Sequence, residues 1–280
     1  MTAARAPASD RERNTALLEW YAAGHRDFPW RRTSDPYGIL VAEVMLQQTQ
    51  AERVVAHYTR FLARFPTVED LATAPLGAVL ETWSGLGYNN RAKRLRDTAR
   101  VVVVAGWPRT LVGLAELPGV GPYTAAAIGS FAFGLSEPAV DTNVRRVLGR
   151  WHGEPLNGVV LTSVAAEDMA DADAAAWNQA MMELGATRCT PQSPACPQCP
   201  VADWCAGPEV YVPPRPQRRF EGSGRQLRGA IVRRLVMGPA TLEELAAATG
   251  FEPGWVEEAA ADLASEGLVA TEDGGYRLSD

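Results

Sequence analysis

The chain has 280 residues, 46% of them hydrophobic, which is enough for a buried core in one large domain or in two or three small ones. No apolar run reaches the roughly 18 residues that a membrane-spanning helix needs, and residues 1–14 contain no apolar segment of the secretory type, so we expect a cytoplasmic protein with no membrane partner. The net charge of −6 lies entirely within residues 221–280, which carry eleven acidic and five basic side chains, so the neutral remainder can still bind an acidic partner.

Apolar residues at helical spacing predict a mostly helical chain after a disordered lead over residues 1–10. The expected helices cover 11–23, 36–64, 67–82 with a break at Pro75, 88–104, 111–116, 122–134, 142–151, 158–170 and 174–186. A proline-rich linker follows, from Val212 to Gln217. The tail is predicted to form helices over 225–237, 241–248 and 253–266 and a short hairpin around Gly274 and Gly275, with no strand-rich stretch before residue 268. Thr241 and Glu244 have the spacing of a capping box.

Positive charge is concentrated in and after the helix predicted over 88–104. One acid, Asp97, accompanies six basic residues: Arg91, Lys93, Arg94, Arg96, Arg100 and Arg109. Such a patch can bind phosphates whatever the total charge of the chain. A solvated helix face is the alternative interpretation.

Four cysteines form the first specific motif, with the spacing C-x6-C-x2-C-x5-C: Cys189, Cys196, Cys199 and Cys205. Four thiolates so close together fit one tetrahedral zinc ion or one iron–sulfur cluster. A single close pair with longer gaps favours the cluster, and zinc stays open. A disulfide framework is disfavoured without a secretory signal.

The second motif is a glycine-containing turn between two predicted helices, Leu117-Pro-Gly-Val-Gly-Pro-Tyr-Thr124. Its glycines permit a tight turn, and Pro122 suits the first position of a helix. The turn amides and the N-terminus of the next helix can together bind an anion. A plain helix–helix turn is the alternative, and the run Asp141-Thr-Asn-Val-Arg-Arg146 some twenty residues later disfavours it.

With these motifs, residues 26–205 resemble the MutY family of adenine DNA glycosylases, which is related to endonuclease III. The matching stretches, in family order, are RDFPWR from Arg26, EVMLQQTQ from Glu43, GLGY from Gly85, the glycine turn, DTNVRRV from Asp141, NQAMMELGA from Asn178 and the cysteine set.

The resemblance implies an all-α helix-hairpin-helix fold with two helical lobes and DNA bound at their junction. Residues 35–135 would form a six-helix barrel containing the hairpin, and residues 11–34 and 136–211 a lobe containing a [4Fe–4S] cluster. Residues 212–220 would be a linker, and residues 221–280 a small α+β domain that resembles a winged helix.

Two carboxyl groups can share the work of breaking an N-glycosidic bond, one protonating the leaving purine and one stabilising the positive sugar. Glu43 lies in an apolar helical stretch, where burial should raise its pKa. The resemblance assigns it proton donation to adenine, against the alternative of an acid paired inside a core. Asp141 taken alone fits a helix N-cap. The resemblance makes it the charge stabiliser, or a transient nucleophile, held by Asn143.

Strand cleavage is not expected. Bifunctional relatives form a Schiff base with a lysine just after the hairpin, where this chain has Tyr123, and Lys93 is its only lysine.

The resemblance also implies residues that contact the substrate. Gln48 and Tyr88 would form the wedge that replaces the flipped base, and Gly119, Val120, Gly121 and Thr124 would contact the DNA backbone. Further substrate-binding residues would be Trp30, Arg31, Leu46, Thr49, Leu86 and Glu183. Ordinary core positions are the alternative for Trp30 and Leu46.

The tail departs from the family, most members of which end in a β-rich Nudix-like domain that recognises 8-oxoguanine. Its third helix is acidic, so we do not expect it to bind DNA in the usual winged-helix manner. Its tasks could be packing on the cluster lobe, binding a protein partner that we cannot name, or offering the basic residues of its first helix to DNA: Arg225, Arg228, Arg233 and Arg234. Asn89 and Asn90 also depart from the family pattern.

Together these features predict a monomeric, monofunctional glycosylase that removes adenine opposite 8-oxoguanine or guanine in double-stranded DNA and associates with the nucleoid when bound. A thymine or uracil mismatch glycosylase on the same scaffold is one alternative. The other is a non-catalytic iron–sulfur DNA-binding regulator, which the presence of both Glu43 and Asp141 disfavours.

Overall fold

A computed structural model describes residues 7–210, 219–272 and 274–279, and most of these residues are helical. The helices are α1 Pro7–Ala23, α2 Pro36–Leu46, α3 Ala51–Arg64, α4 Val68–Thr73, α5 Leu76–Trp83, α6 Asn90–Ala105, α7 Leu111–Ala115, α8 Pro122–Phe133, α9 Thr142–His152, α10 Gly158–Met169, α11 Ala174–Thr187, α12 Gly224–Val236, α13 Leu242–Thr249 and α14 Pro253–Ser265. The strands are β1 Ala240–Thr241, β2 Val269–Glu272 and β3 Gly275–Leu278. The predicted all-α class with a small C-terminal sheet is confirmed.

The described residues divide into two compact units. The first comprises those of Met1–Ile39, Arg109–Ala115 and Val120–Arg215, and the second those of Leu40–Pro108, Glu116–Gly119 and Pro216–Asp280. Helices α7 and α8, predicted within the barrel, therefore fall in the first unit, and the tail falls in the second.

The first unit has its core where α1, α9, α10 and α11 pack together, around buried residues such as Leu17, Leu148 and Trp177. Helices α9 and α11 approach closely at Gly185, where an added Cβ would lie 2.5 Å from the Cβ of Asn143. A glycine is therefore required at this position, and it brings the start of α9 against α11.

The second unit packs α4 and α5 against α6, and α12 of the tail against α5. The tail sheet is antiparallel in the order β1-β3-β2. The capping box at the start of α13 is confirmed, because Thr241 accepts from the Glu244 amide and the Glu244 side chain accepts from the Thr241 amide.

Several predicted boundaries were wrong. The single helix expected over 36–64 is two helices, because Gln48 has a left-handed backbone (φ +57°) that ends α2. Helix α1 begins at Pro7, so residues 7–10 are not a disordered lead. Strand β1 precedes residue 268 but has only two residues, so it does not contradict the expected lack of a strand-rich stretch there. The linker from Val212 to Gln217 lies outside the described residues, and none of the described helices is long and apolar enough to cross a membrane.

Candidate functional site

Asp141 is the N-cap of α9 and is held by two hydrogen bonds. Its Oδ1 accepts from the Val144 amide (2.7 Å), and its Oδ2 accepts from Asn143 Nδ2 (2.8 Å), which is the contact expected from the sequence. Burial raises the pKa of Asp141 above its usual value, although these hydrogen bonds and the nearby charge of Arg146 oppose the rise. The carboxyl group is thus fixed in position in a poorly hydrated environment.

Arg146 fixes Asn143 in turn, and the sequence analysis missed it. Its Nη2 donates to Asn143 Oδ1 (2.8 Å) and to the carbonyl oxygen of Gly185 (2.7 Å), and its Nε donates to the carbonyl oxygen of Cys189 (2.8 Å). With its oxygen bound to Arg146, the Asn143 amide must turn its nitrogen toward Asp141. Asp141 is therefore connected, through Asn143 and Arg146, to the backbone of the first cysteine. The sequence feature that could have indicated this role of Arg146 is its place one turn into a helix that begins with an Asp N-cap.

The four cysteine thiols line one cavity of about 220 Å³ in the first unit, together with residues that include Arg150. Among the residues that the structure describes, no three His, Cys, Asp or Glu side chains converge closely enough to bind a single metal ion. Four cysteines around a cavity of this size fit an iron–sulfur cluster, which takes four thiolate ligands.

The chemistry of this cavity also fits a cluster. Burial first, and the neighbouring cysteines to a lesser extent, raise the pKa of the Cys199 thiol to about 11, so holding four thiolates here requires a strongly positive group. Arg150, which is buried, donates to Cys189 Sγ (3.1 Å) and to the carbonyl oxygens of Thr190 and Pro191. These bonds hold the loop that would carry the cluster.

Glu183, expected in the base pocket, is 2% exposed and accepts hydrogen bonds from two arginines. Arg26 Nε donates to it at 2.9 Å and Arg31 Nη2 at 2.8 Å. Burial alone would raise its pKa, but the hydrogen bonds and charges of these arginines lower the pKa overall. Trp30 stacks on Phe28, with ring centroids 4.9 Å apart. Arg31 and Glu183 form an ion pair, and the role of both residues in a pocket for the flipped base stays a prediction.

The hairpin turn depends on Gly119, whose φ is +76°. A Cβ added at Gly119 would lie 2.8 Å from the Cβ of Arg94, so this position needs a glycine for both conformation and space. The turn is attached to α6 because Thr98 Oγ1 donates to the carbonyl oxygen of Pro118 (2.6 Å). Gly121 is the extended N-cap of α8, and its carbonyl oxygen accepts from the Ala125 amide (2.9 Å).

The side chains that follow the turn are unevenly exposed. Val120 and Thr124 are buried, so any contact that they make to a DNA backbone would use their amides. Tyr123 is partly buried in the first turn of α8, with its hydroxyl 4.0 Å from Met182 Sδ. A phenol at this position has no amine with which to form an imine.

Glu43 lies on α2 and is 5% exposed, with buried apolar neighbours on the same helix. Leu46 at the end of α2 and Thr49 in the following turn are partly exposed, and Gln48 is exposed. Glu43 belongs to the second unit and Asp141 to the first. Each carboxyl group therefore has its surroundings within its own unit.

Arg91 holds the end of α2 and was misread as a phosphate-binding residue. Its Nη1 donates to the carbonyl oxygens of Val44 (2.7 Å) and Gln47 (2.6 Å), groups that a helix end leaves without helical partners. Its Nη2 donates to the carbonyl oxygens of Leu86 and Gly87, both at 3.2 Å. Burial lowers its pKa to about 10, so the guanidinium keeps its charge at neutral pH.

Other members of the expected phosphate patch also have partners within the protein. Arg96 is 1% exposed, Lys93 pairs with Asp97 at 2.8 Å, and the Arg109 guanidinium lies 4.3 Å from the Phe133 ring centroid. The patch interpretation was wrong for Arg91 and Arg96, because counting charges in a sequence does not reveal the groups that bind them.

Two of the four tail arginines expected to contact DNA are ion-paired within the tail. Arg228 binds Glu266 at 2.7 Å and Arg234 lies 3.4 Å from Glu244. Packing of the tail on the cluster lobe was also expected as one option, whereas the tail falls in the unit of α5 and α6 and packs against α5.

Comparison with known proteins agrees with this arrangement. Residues 41–158 match the HhH-GPD superfamily of base excision DNA repair proteins, and residues 189–205 match the iron–sulfur binding domain of endonuclease III. Among solved structures, a thermostable thymine-DNA glycosylase is similar with a TM-score of 0.68 and 32% identity, over 72% of this chain and 97% of that one. A non-covalent endonuclease III–DNA complex is similar with a TM-score of 0.62 and 25% identity, over 72% and 96%.

Three curated relatives share the name adenine DNA glycosylase. Adenine DNA glycosylase of Mycobacterium tuberculosis (strain H37Rv) is 41% identical over 95% of this chain and 93% of its own, and that of Mycolicibacterium smegmatis 40% identical over 94% of each. The human adenine DNA glycosylase is 46% identical over 68% of this chain and 38% of its own. The mycobacterial likeness therefore extends into the tail. These relatives are named as enzymes, which argues against a non-catalytic regulator. The chain belongs to the adenine DNA glycosylase family of helix-hairpin-helix base excision repair proteins, with a [4Fe–4S] cluster whose binding domain matches residues 189–205.

Proposed function

We propose that this enzyme removes adenine mispaired with 8-oxoguanine or guanine from double-stranded DNA and leaves the sugar–phosphate strand intact. The observation that carries the proposal is the similarity of this chain to adenine DNA glycosylases over nearly its whole length. The two mycobacterial relatives are themselves matched over 93% and 94% of their own length. The buried Glu43 and the fixed Asp141 support it, since they are two carboxyl groups in different environments.

In the proposed reaction, Glu43 donates a proton to a ring nitrogen of the flipped adenine. The bond from the base to C1′ breaks, its electron pair leaves with adenine, and positive charge develops on the sugar. The Asp141 carboxylate stabilises that charge, and water then bonds to C1′ and releases its proton. General acid catalysis of this kind is worth about 10²–10⁴-fold in rate. The four cysteines would hold the cluster, and with it the loop whose Cys189 carbonyl oxygen accepts a hydrogen bond from Arg146.

The remaining side chains would bind and orient DNA. Gln48 and Tyr88 would enter the vacated stack, and the hairpin amides from Gly119 to Thr124 would contact phosphates. Trp30, Leu46, Thr49 and Leu86 would line the space taken by the base, and the pair of Arg31 and Glu183 would support it. Acting on chromosomal DNA, the protein would work as a monomer in the cytoplasm, at the nucleoid.

A panel of duplexes tests the proposal, pairing A, T or U with 8-oxoguanine or with G under single-turnover conditions. We expect excision of adenine from A·8-oxoguanine and A·G, with little release of thymine or uracil. The similar thymine-DNA glycosylase structure makes thymine release the main competing outcome. Release of thymine from T·G without release of adenine would reject the proposal.

Borohydride trapping tests the absence of strand cleavage. Tyr123 cannot form an imine, and Lys93, the chain's only lysine, is paired with Asp97. We therefore expect little covalent enzyme–DNA complex after reduction. Trapping as efficient as that of a bifunctional glycosylase used as the reference would contradict a monofunctional mechanism.

A further inference from the structure

Tyr88 lies in a loop with an unusual backbone between α5 and α6. Gly85, Gly87 and Tyr88 have φ values of +96°, +72° and +49°, and a left-handed conformation is uncommon for a bulky residue. The Tyr88 side chain is 41% exposed, so its ring lies at the protein surface. A strained, exposed aromatic residue keeps one orientation only when its surroundings determine it.

Two arginines from different parts of the chain contact this ring. The Arg91 guanidinium lies 5.5 Å from the ring centroid and is itself fixed by the carbonyl oxygens at the end of α2. The second arginine comes from the tail: Arg225 Nη1, in the first turn of α12, donates to the Tyr88 hydroxyl at 3.2 Å. The ring is thus held by α6 along its face and by the tail at its hydroxyl.

The tail is anchored beside this loop by further contacts within the second unit. Asn90 Nδ2, at the start of α6, donates to Glu266 Oε2 at 3.2 Å, and Arg228 holds the same carboxylate. A Cβ added at Gly267 would lie 3.1 Å from Lys93 Cε, so the end of α14 lies close against α6. Glu266 therefore joins the end of α14 to the start of α6 through Asn90.

We propose that Arg225 is a positioning residue for Tyr88, and that through it the C-terminal tail sets the enzyme's preference for the base opposite the excised adenine. The inference rests on the proposed function, in which Tyr88 enters the DNA stack. An arginine that fixes the phenol hydroxyl fixes the ring that meets the opposite base. The tail acts through Tyr88, without a phosphate contact of its own at Arg225.

The test compares adenine excision from A·8-oxoguanine and A·G duplexes by the full-length protein with its cluster. Arg225→Met removes the donor while keeping most of the side-chain length, and we expect the ratio of the two single-turnover rates to change by roughly 3- to 10-fold, as expected for one lost hydrogen bond. Arg225→Lys keeps a donor and should restore most of the ratio. Arg219→Met, an exposed arginine shortly before the same helix, is the matched control.

Tyr88→Phe separates positioning from general damage. It removes the hydroxyl and keeps the ring, so it should change the ratio as Arg225→Met does, and the double variant should add nothing further. Additive effects would overturn the proposal. A second result would also overturn the proposal. If Arg225→Met weakened binding to every duplex equally, and the dependence of log K on log salt concentration became shallower by about one unit, Arg225 would be a phosphate contact.

Failure of this inference differs from failure of the proposed function. If the unaltered enzyme releases no adenine from either duplex, the proposed function is wrong. If it releases adenine and Arg225→Met keeps the same ratio as Arg219→Met, the function stands and the positioning role is rejected. Circular dichroism and iron content, expected unchanged in all variants, show that each protein is folded.

Discussion

Arg146 in the first unit and Arg91 in the second make the same kind of contact, but they connect different segments of the protein. Both extend a guanidinium from a helix to backbone carbonyl oxygens, and both fix a segment predicted to act on DNA. Arg146 connects the Asn143–Asp141 pair to Cys189, so its geometry depends on the cysteine loop. Arg91 connects the end of α2 to the Tyr88 loop, beside the tail.

This difference indicates that the two halves of the proposed site, each within its own unit, depend on different parts of the chain. The half around Asp141 should respond to loss of the cluster, whereas the half that holds Glu43 and Tyr88 should respond to changes at α6 and the tail.

The two carboxyl groups should matter most. Glu43→Gln removes the proton donor and Asp141→Asn removes the stabilising charge, so each should lower single-turnover excision by roughly 10²-fold or more while duplex binding persists. Asp173→Asn is the matched control for Asp141, because Asp173 is also an N-cap and accepts from the Ala176 amide at 2.7 Å.

Glu81→Gln, an exposed acid on α5, is the control for Glu43. Neither control should change the rate. Near-normal excision by Asp141→Asn would mean that Asp141 serves only as a helix cap.

Arg146→Met should reduce iron per chain and destabilise the protein. It leaves the carbonyl oxygen of Gly185 without its charged donor and that of Cys189 with only the longer bond from Arg150 (3.3 Å), at a cost on the order of 3 kcal/mol in the free energy of unfolding. Iron analysis, visible absorption and thermal melting measure the effect. Arg145→Met, an exposed arginine next along the same helix, should leave all three unchanged. Full iron content in Arg146→Met would break the proposed dependence on the cysteine loop.

Arg91→Met should leave the iron content unchanged. It removes the donors to the end of α2 and to the Tyr88 loop, so we expect the free energy of unfolding to fall by about 2 kcal/mol and excision to slow. Arg100→Met, on an exposed part of α6, is the control, since Arg100 makes one hydrogen bond to the carbonyl oxygen of Ala72. Iron loss equal to that of Arg146→Met would show that the two halves are not separate.

Asn143→Ala should shift the pH dependence of excision. Its hydrogen bond favours the charged form of Asp141 and so lowers a pKa that burial has raised. Removing it should raise that pKa further, so the rate should begin to fall at a higher pH as the solution is acidified. Thr142→Ala, an exposed neighbour, should keep the original profile. If excision by the Asn143→Ala and Thr142→Ala variants fell over the same acidic pH range, Asn143 would have no effect on the pKa of Asp141.

Local patterns predicted what depends on neighbours in the sequence. Helical periodicity predicted most helices to within a few residues but merged α2 and α3, and the capping box at Thr241 formed as expected. The spacing of the cysteines together with the family resemblance predicted the cluster, and the resemblance also predicted the contact between Asn143 and Asp141. The helices, the capping box and this contact each form between residues that are close in the sequence.

The sequence by itself therefore determined the helices, the cysteine set, the glycine turn and the pair of acids. Only the tertiary structure decided which arginines bind carbonyl oxygens within the protein and where the tail packs. The acceptors of Arg91 and Arg146 are backbone groups up to 47 residues away, and no side-chain pattern marks a carbonyl oxygen left over at a helix end. The bond from Arg225 to Tyr88 spans 137 residues, and it exists because packing of α12 against α5 brings the two residues together.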